Sequence, residues 1–195
     1  MNITKETLMD YFCGTKGTPI EKCARLAYGD LRRTLRGIGK KEGKDRQVDI
    51  ICELIATCIE KLLSDGVQNQ IAFDEWHTRV CEKIIDSFDT FGFEIYYGQA
   101  QKWLNMTFKN MLIFELNKEK MEENEKYLHV PVDTRILNAA AKLEVRIKKP
   151  QDAPGSWSRW KKEDYEKYQK NLRNNLSEIP IVWEFTAWKS SSDAT

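Results

Sequence analysis

The sequence predicts an all-α protein, and three observations carry that prediction. Apolar residues recur at helical spacing along almost all of the 195 residues, and sustained alternation of the kind a strand needs is scarce. Hydrophobic residues make up 41% of the chain, and six tryptophans are among them, which is ample for a packed interior. The length implies one domain, or two lobes sharing a core, over residues 1–189, with 190–195 a frayed tail.

The elements follow in order. A first helical turn falls on TKETLMDYF; CGTKGTP then breaks the pattern and leaves Pro19 at the first position of a second helix, where no intrahelical N–H is required. Ile20, Cys23, Ala27, Leu31 and Leu35 form its buried stripe. GIGKKEGKDR reads as a polar, Gly-punctuated loop. QVDIICELIATCIEKLLSDG is a strongly apolar helix closed by Gly66, with an apolar arc wide enough for a central place in the core.

Asp74 is expected to cap EWHTRVCEKIIDSF, whose Trp76, Val80, Ile84 and Phe88 share one face. DTFGFEIYYG turns the chain into the apolar helix QAQKWLNMTFKNMLIF, and the charged ELNKEKMEENEKY predicts a solvated connector. A helix starts at Asp133, and the Pro- and Gly-containing KKPQDAPGS loops onward. The next helix carries Trp157, Trp160, Tyr168, Leu172 and Leu176, and IPIVWEFTAWK closes the fold as a short aromatic helix.

Composition removes several function classes. With 31 basic and 30 acidic residues the net charge is +1, so any contact with nucleic acid must come from local patches. Cysteines 13, 23, 52, 58 and 81 form no CxxC pair and no disulfide framework, and no His/Cys/Asp/Glu grouping has metal-ligand spacing. Neither a metal nor another cofactor is expected. Walker-type loops, a dinucleotide fingerprint and a serine nucleophile elbow are absent. No run approaches the roughly 18 apolar residues of a membrane span, and MNITKETLMDYF lacks the features of a signal peptide. The expectation is a cytoplasmic protein without a membrane partner.

Two segments stand out as a pair: YYGQAQKWLNMTFKNML at 96–112 and HVPVDTRILNAAAKL at 129–143. Gly98, Lys102 and Asn105 fit a G-x-G-x-K-x-x-N spacing with Ala100 at the second glycine, and Val132-Asp133-Thr134 opens the next helix. In these features the chain resembles the helix-hairpin-helix DNA glycosylase superfamily, whose hairpin carries Gly-x-Gly-x-Lys and whose next helix opens on V-D-T-H; Arg135 stands here in place of that His.

The resemblance implies a helical bundle with a cleft between two lobes, DNA as partner, and a hydrolase of DNA repair that cuts a base from its sugar. Asp133 would be the cleft carboxylate that activates water or stabilises the cationic sugar, and Lys102 the amine of a Schiff-base lyase. Gly98 and Ala100 would contribute backbone N–H groups to a phosphate, and Gln99, Gln101 and Arg135 would also contact the nucleic acid. The iron–sulfur cluster of some family members is excluded, since no Cys follows position 81. The 30 residues between Lys102 and Asp133 exceed the family spacing by the charged connector.

Other readings of the same residues stand beside this one. Asp133 follows Pro131 and precedes a helix, so capping alone accounts for it. Lys102 on an amphipathic helix can be a solvated side chain, and the tryptophans can be core. The run LRRTLRGIGKKEGK brings together Arg32, Arg33, Arg36, Lys40, Lys41 and Lys44 around Gly37 and Gly39, as a phosphate-binding patch or as a flexible basic loop. The alternative function is a non-catalytic helical module that binds nucleic acid or protein with a degenerate hairpin.

Overall fold

Local capping signals set most of the helix boundaries. Thr4, Thr18, Asn69 and Asp133 each accept a hydrogen bond from a backbone N–H three residues on, which satisfies one donor left over at a helix start. Gly14 and Gly66 end their helices in the left-handed region, with φ of 82° and 76°, and return their N–H groups to Asp10 and Leu62.

The protein is represented by a computed structural model that describes residues 4–143 and 145–192. Among the described residues it is all-α, with nine α-helices and no strand. The helices are α1 (Lys5–Cys13), α2 (Pro19–Leu31), α3 (Lys44–Asp65), α4 (Gln70–Thr90), α5 (Tyr97–Ile113), α6 (Lys118–Asn124), α7 (Thr134–Ala140), α8 (Lys162–Asn175) and α9 (Pro180–Ser192). Short 3-10 turns occupy Arg32–Thr34, Ile38–Lys40, Glu125–Tyr127 and Trp157–Arg159. No helix among the described residues is long and apolar enough to cross a membrane.

The most enclosed helix is α5, while α3 takes its expected place in the core through Ile51, Cys52, Ile55 and Ile59. Of the 17 residues of α5, Tyr97–Asn105 and Thr107–Met111 are buried, with α2, α4 and α8 packed around them. Buried polar groups on α5 reach spare lone pairs on the carbonyls of α2: Trp103 Nε1 donates to Ala24 O at 2.8 Å and Asn110 Nδ2 to Cys23 O at 3.0 Å. The expected stripe of Ile20, Cys23, Ala27, Leu31 and Leu35 is buried, but α2 ends at Leu31 and Leu35 follows the Arg32–Thr34 turn.

Several boundaries differ from the sequence expectation. Asn69 caps α4, so the helix begins before Asp74, whose carboxylate serves tertiary contacts instead. The loop at 37–46 contains a 3-10 turn that buries Ile38, and α3 starts within it at Lys44. The charged connector is itself helical: Met121 and Asn124 of α6 point inward, and apolar contact at one turn outweighs the surrounding charge. Trp157 lies in a 3-10 turn, separate from α8. The backbone of α9 runs to Ser192, past the expected start of the tail, and residues 193–195 lie outside the described residues.

Candidate functional site

The chain between the last 3-10 turn of the connector and α7 is extended, buried and without a β partner. Two glutamines supply what a neighbouring strand would. Gln169 of α8 donates from Nε2 to Val130 O at 2.6 Å and accepts from Val130 N at 3.2 Å. Gln101 of α5 treats Val132 in the same way, donating to its carbonyl at 3.1 Å and accepting from its N–H at 3.3 Å. A primary amide matches the donor and acceptor of a peptide group, so the backbone polar groups of Val130 and Val132 are satisfied inside an all-helical core.

This clamp sets Asp133 at the start of α7. Asp133 Oδ1 accepts from Ile136 N at 3.0 Å, so the expected cap is present, while Oδ2 lies 2.7 Å from Lys102 Nζ. The lysine also donates to Pro131 O at 3.3 Å. The side chain of Lys102 is 5% exposed and that of Asp133 18%, so the pair is reachable chiefly from the carboxylate side. It forms the floor of a cleft of about 570 Å³ lined by Asp30, Arg33, Lys102, Asp133, Arg135 and Trp157 among others.

Asp30 is the cleft residue that sequence reasoning missed. It stands at the penultimate position of α2, where the partial negative charge of the helix end disfavours a carboxylate. That local conflict, in AYGDLRR, is the signal the sequence offered. Desolvation raises its carboxyl above the ordinary range, while Lys102 and Lys109 pull it down and the charge of Asp133 adds to the rise. Two carboxylates of different environment thus share one cleft with a buried amine.

The segment expected to grip a phosphate is turned to other uses. Gly98, Gln99, Ala100 and Gln101 are not in a hairpin loop but in the first turns of α5, because the Gln99 side chain accepts from Tyr96 N at 2.9 Å and starts the helix there. The N–H of Gly98 donates to Trp160 O at 3.0 Å, and those of Gln99 and Ala100 to Tyr96 O. A Cβ on Gly98 would meet Trp157 O at 2.0 Å, so this glycine is required for close approach of the 157–159 turn rather than of a ligand. All four residues are buried.

The other expected basic residues separate. Arg135 borders the Lys102–Asp133 cleft. Arg36 lines a neighbouring cleft, whereas Lys41 turns to Gly92 O at 3.0 Å and lies over the Phe91 ring. Lys40 is exposed at the end of its 3-10 turn and borders neither of these two clefts.

Behind the clamp runs a buried polar network. His129 bridges Tyr165 OH at 2.8 Å and Asp74 Oδ1 at 2.7 Å, and Arg173 holds the other oxygen of Asp74 at 2.9 Å. Asn105 joins His77 at 2.9 Å, Tyr165 OH at 2.7 Å and Gln101 Oε1 at 3.0 Å, which links the network to the clamp. Burial lowers the pKa of both imidazoles, against the hydrogen bonds that Asp74 Oδ1 accepts from His129 and Asn105 Oδ1 accepts from His77. Burial pushes the Asp74 carboxyl up, but its bonds to His129 and Gln70 and the charge of Arg173 outweigh that and hold it below its ordinary value. Among the described residues no His/Cys/Asp/Glu group of three could hold a metal ion.

Comparison of the chain with protein-family models, with curated proteins and with solved structures gives no match in any of the three.

Proposed function

We propose that the chain cleaves the N-glycosidic bond between a base and its deoxyribose in DNA, in the cleft floored by Lys102 and Asp133. The observation that carries this reading is the 2.7 Å contact between a buried lysine and a carboxylate that faces a cleft, formed by residues with 30 others between them. On this reading the bundle is glycosylase-like, with the cleft between two lobes, and departs from the hairpin pattern where the glycine segment has become helix.

The chemistry asks little more of these groups. As the C1′–N bond breaks, its electron pair leaves on the base and positive charge grows at C1′, where the fixed carboxylate of Asp133 stabilises it. Asp30, which lines the same cleft, is the second carboxyl that can pass a proton to the departing base. The new bond at C1′ comes from water that gives its proton to Asp133, or from the Lys102 amine once its proton has passed to Asp133. The target base leaves the helical stack to reach the cleft, at a cost of a few kcal/mol.

The test is incubation of the protein and of Asp133→Asn with duplexes carrying uracil, an oxidised purine, an alkylated purine or an abasic site. Base release that disappears in Asp133→Asn is expected, and borohydride trapping that disappears in Lys102→Met would add the lyase step. No release from any duplex by folded protein overturns the reading.

One observation favours a second reading, a non-catalytic binding module. Both partners of the pair have structural duties, Asp133 as the α7 cap and Lys102 as donor to Pro131 O. DNA binding that survives Asp133→Asn, with no base release by either form, selects it.

A further inference from the structure

Beside the Lys102–Asp133 cleft lies a second one of about 540 Å³, and the two share Arg33 and Thr34. The 157–159 turn forms the opposite wall of both: Trp157 faces the first, Ser156, Ser158 and Arg159 the second. The clefts are therefore consecutive stretches of one channel.

The second stretch is basic in a protein of almost no net charge. Arg33, Arg36 and Arg159 line it against one carboxylate, Glu94. The three arginines are exposed, and none makes an ion pair among the described residues, although 31 basic and 30 acidic side chains compete for partners across the chain. Tyr96, a residue 38% exposed, lines the same place, and Ser156 and Ser158 add hydroxyls that bond to each other at 2.8 Å. Unpaired guanidinium groups with hydroxyls and an aromatic face suit a phosphodiester backbone with a stackable base.

We propose that Arg33, Arg36 and Arg159 hold the backbone phosphates of a nucleic-acid strand whose adjacent nucleotide enters the Lys102–Asp133 cleft. This deepens the function proposed above and rests on its assignment of nucleic acid as the ligand, but not on the bond that is cut. It also relocates the phosphate grip: the N–H groups of Gly98, Gln99 and Ala100 are spent inside the protein, and the arginine channel takes over the charge neutralisation expected of them.

The experiment is fluorescence anisotropy of a labelled oligonucleotide, single-stranded and duplex, over a series of salt concentrations. Arg36→Gln and Arg159→Gln, singly and together, are compared with Arg46→Gln, an exposed arginine of α3 that lines neither cleft. Each channel substitution is expected to weaken binding about tenfold at low salt and to reduce the slope of log K against log salt by about 1, with Arg46→Gln close to the parent protein. Equal effects from Arg46→Gln, or wild-type binding by the double variant, overturn the proposal. So does saturation of the channel by inorganic phosphate or a mononucleotide as tightly as by the oligonucleotide, which would mark it as a small-anion site.

The two proposals fail separately. Arginine-dependent binding without base release by the parent protein leaves the channel standing and removes the glycosylase. Base release at unchanged KM in the double variant does the reverse.

Discussion

Asp133 Oδ2 and Lys102 Nζ lie 2.7 Å apart, while Asp133 Oδ1 caps α7 through Ile136 N at 3.0 Å. The two oxygens of one carboxylate thus do separable work, and substitution can divide them. Asn retains an oxygen for the cap and removes the charge; Ala removes both. Asp133→Ala is expected to unfold more easily than Asp133→Asn by about 1 kcal/mol, the usual worth of a cap. The shared loss of the ion pair should fall below the roughly 3–5 kcal/mol of a fully enclosed pair, because water reaches Asp133. Urea unfolding of the three proteins measures both differences.

Gly98→Ala sets helix propensity against packing. Alanine inside a helix is favoured over glycine by about 1 kcal/mol. At Gly98, however, the added carbon would meet a backbone carbonyl, that of Trp157, at 2.0 Å. A net destabilisation of about 1–3 kcal/mol is expected, as for overpacked cores. A urea midpoint at or above that of the parent protein would show that the 157–159 turn is not seated as described.

Gln169→Leu removes both bonds to Val130, leaving its buried N–H without a partner and its C=O with only the long 3.5 Å contact from Asn105 Nδ2. Each orphaned group costs about 1–3 kcal/mol. Gln169→Glu keeps an acceptor for the N–H but sets a buried carboxylate oxygen against Val130 O, so it too is expected to lower the thermal unfolding midpoint. An indifferent response to Leu would mean that the extended segment is held by its apolar side chains alone.

Stability is expected to depend on pH through His77 and His129. Burial holds both imidazoles below their ordinary 6.5, His77 well below it. As pH falls through 6.5 the unfolded chain takes up protons that the native protein refuses, so native stability is complete above that value and declines below it. The slope is at most about 1.4 kcal/mol per pH unit for each histidine. The depressed Asp74 carboxyl contributes stability that is lost only below its ordinary 3.8, so it does not blur this window. The raised Asp30 carboxyl works in the opposite sense, so the rings are followed directly: imidazole NMR signals of His77 and His129 that titrate at the ordinary 6.5 would contradict their enclosure.

Helix identity was legible wherever a cap or a stripe was local: Pro19 at the start of α2, Gly66 at the end of α3, Asp133 before α7. The conjunction of Lys102 with Asp133 was legible only through the family-like spacing of their neighbours. What the sequence hid was tertiary. Gln101 read as part of the ligand-facing segment and Gln169 carried no signal, since nothing local shows that an extended stretch elsewhere will lie against them. Gly98 read as a ligand-facing glycine because its small size has two uses, and the one realised depends on a turn some sixty positions away. Arg33 belongs to the basic run LRRTLRGIGKKEGK, but Arg159 joined no pattern, because their partnership crosses most of the chain.

The extended stretch before α7 has a further consequence, for association between chains. A lone strand-like segment normally offers a row of unpaired amides to any other chain that can align with it. Here the amide and carbonyl of Val130 and Val132 are already taken by side chains from helices on either side. The residues that aim Asp133 therefore also close the one template for intermolecular sheet growth that this stretch could provide. A variant that loosened the glutamines would be vulnerable to aggregation before it was vulnerable to global unfolding.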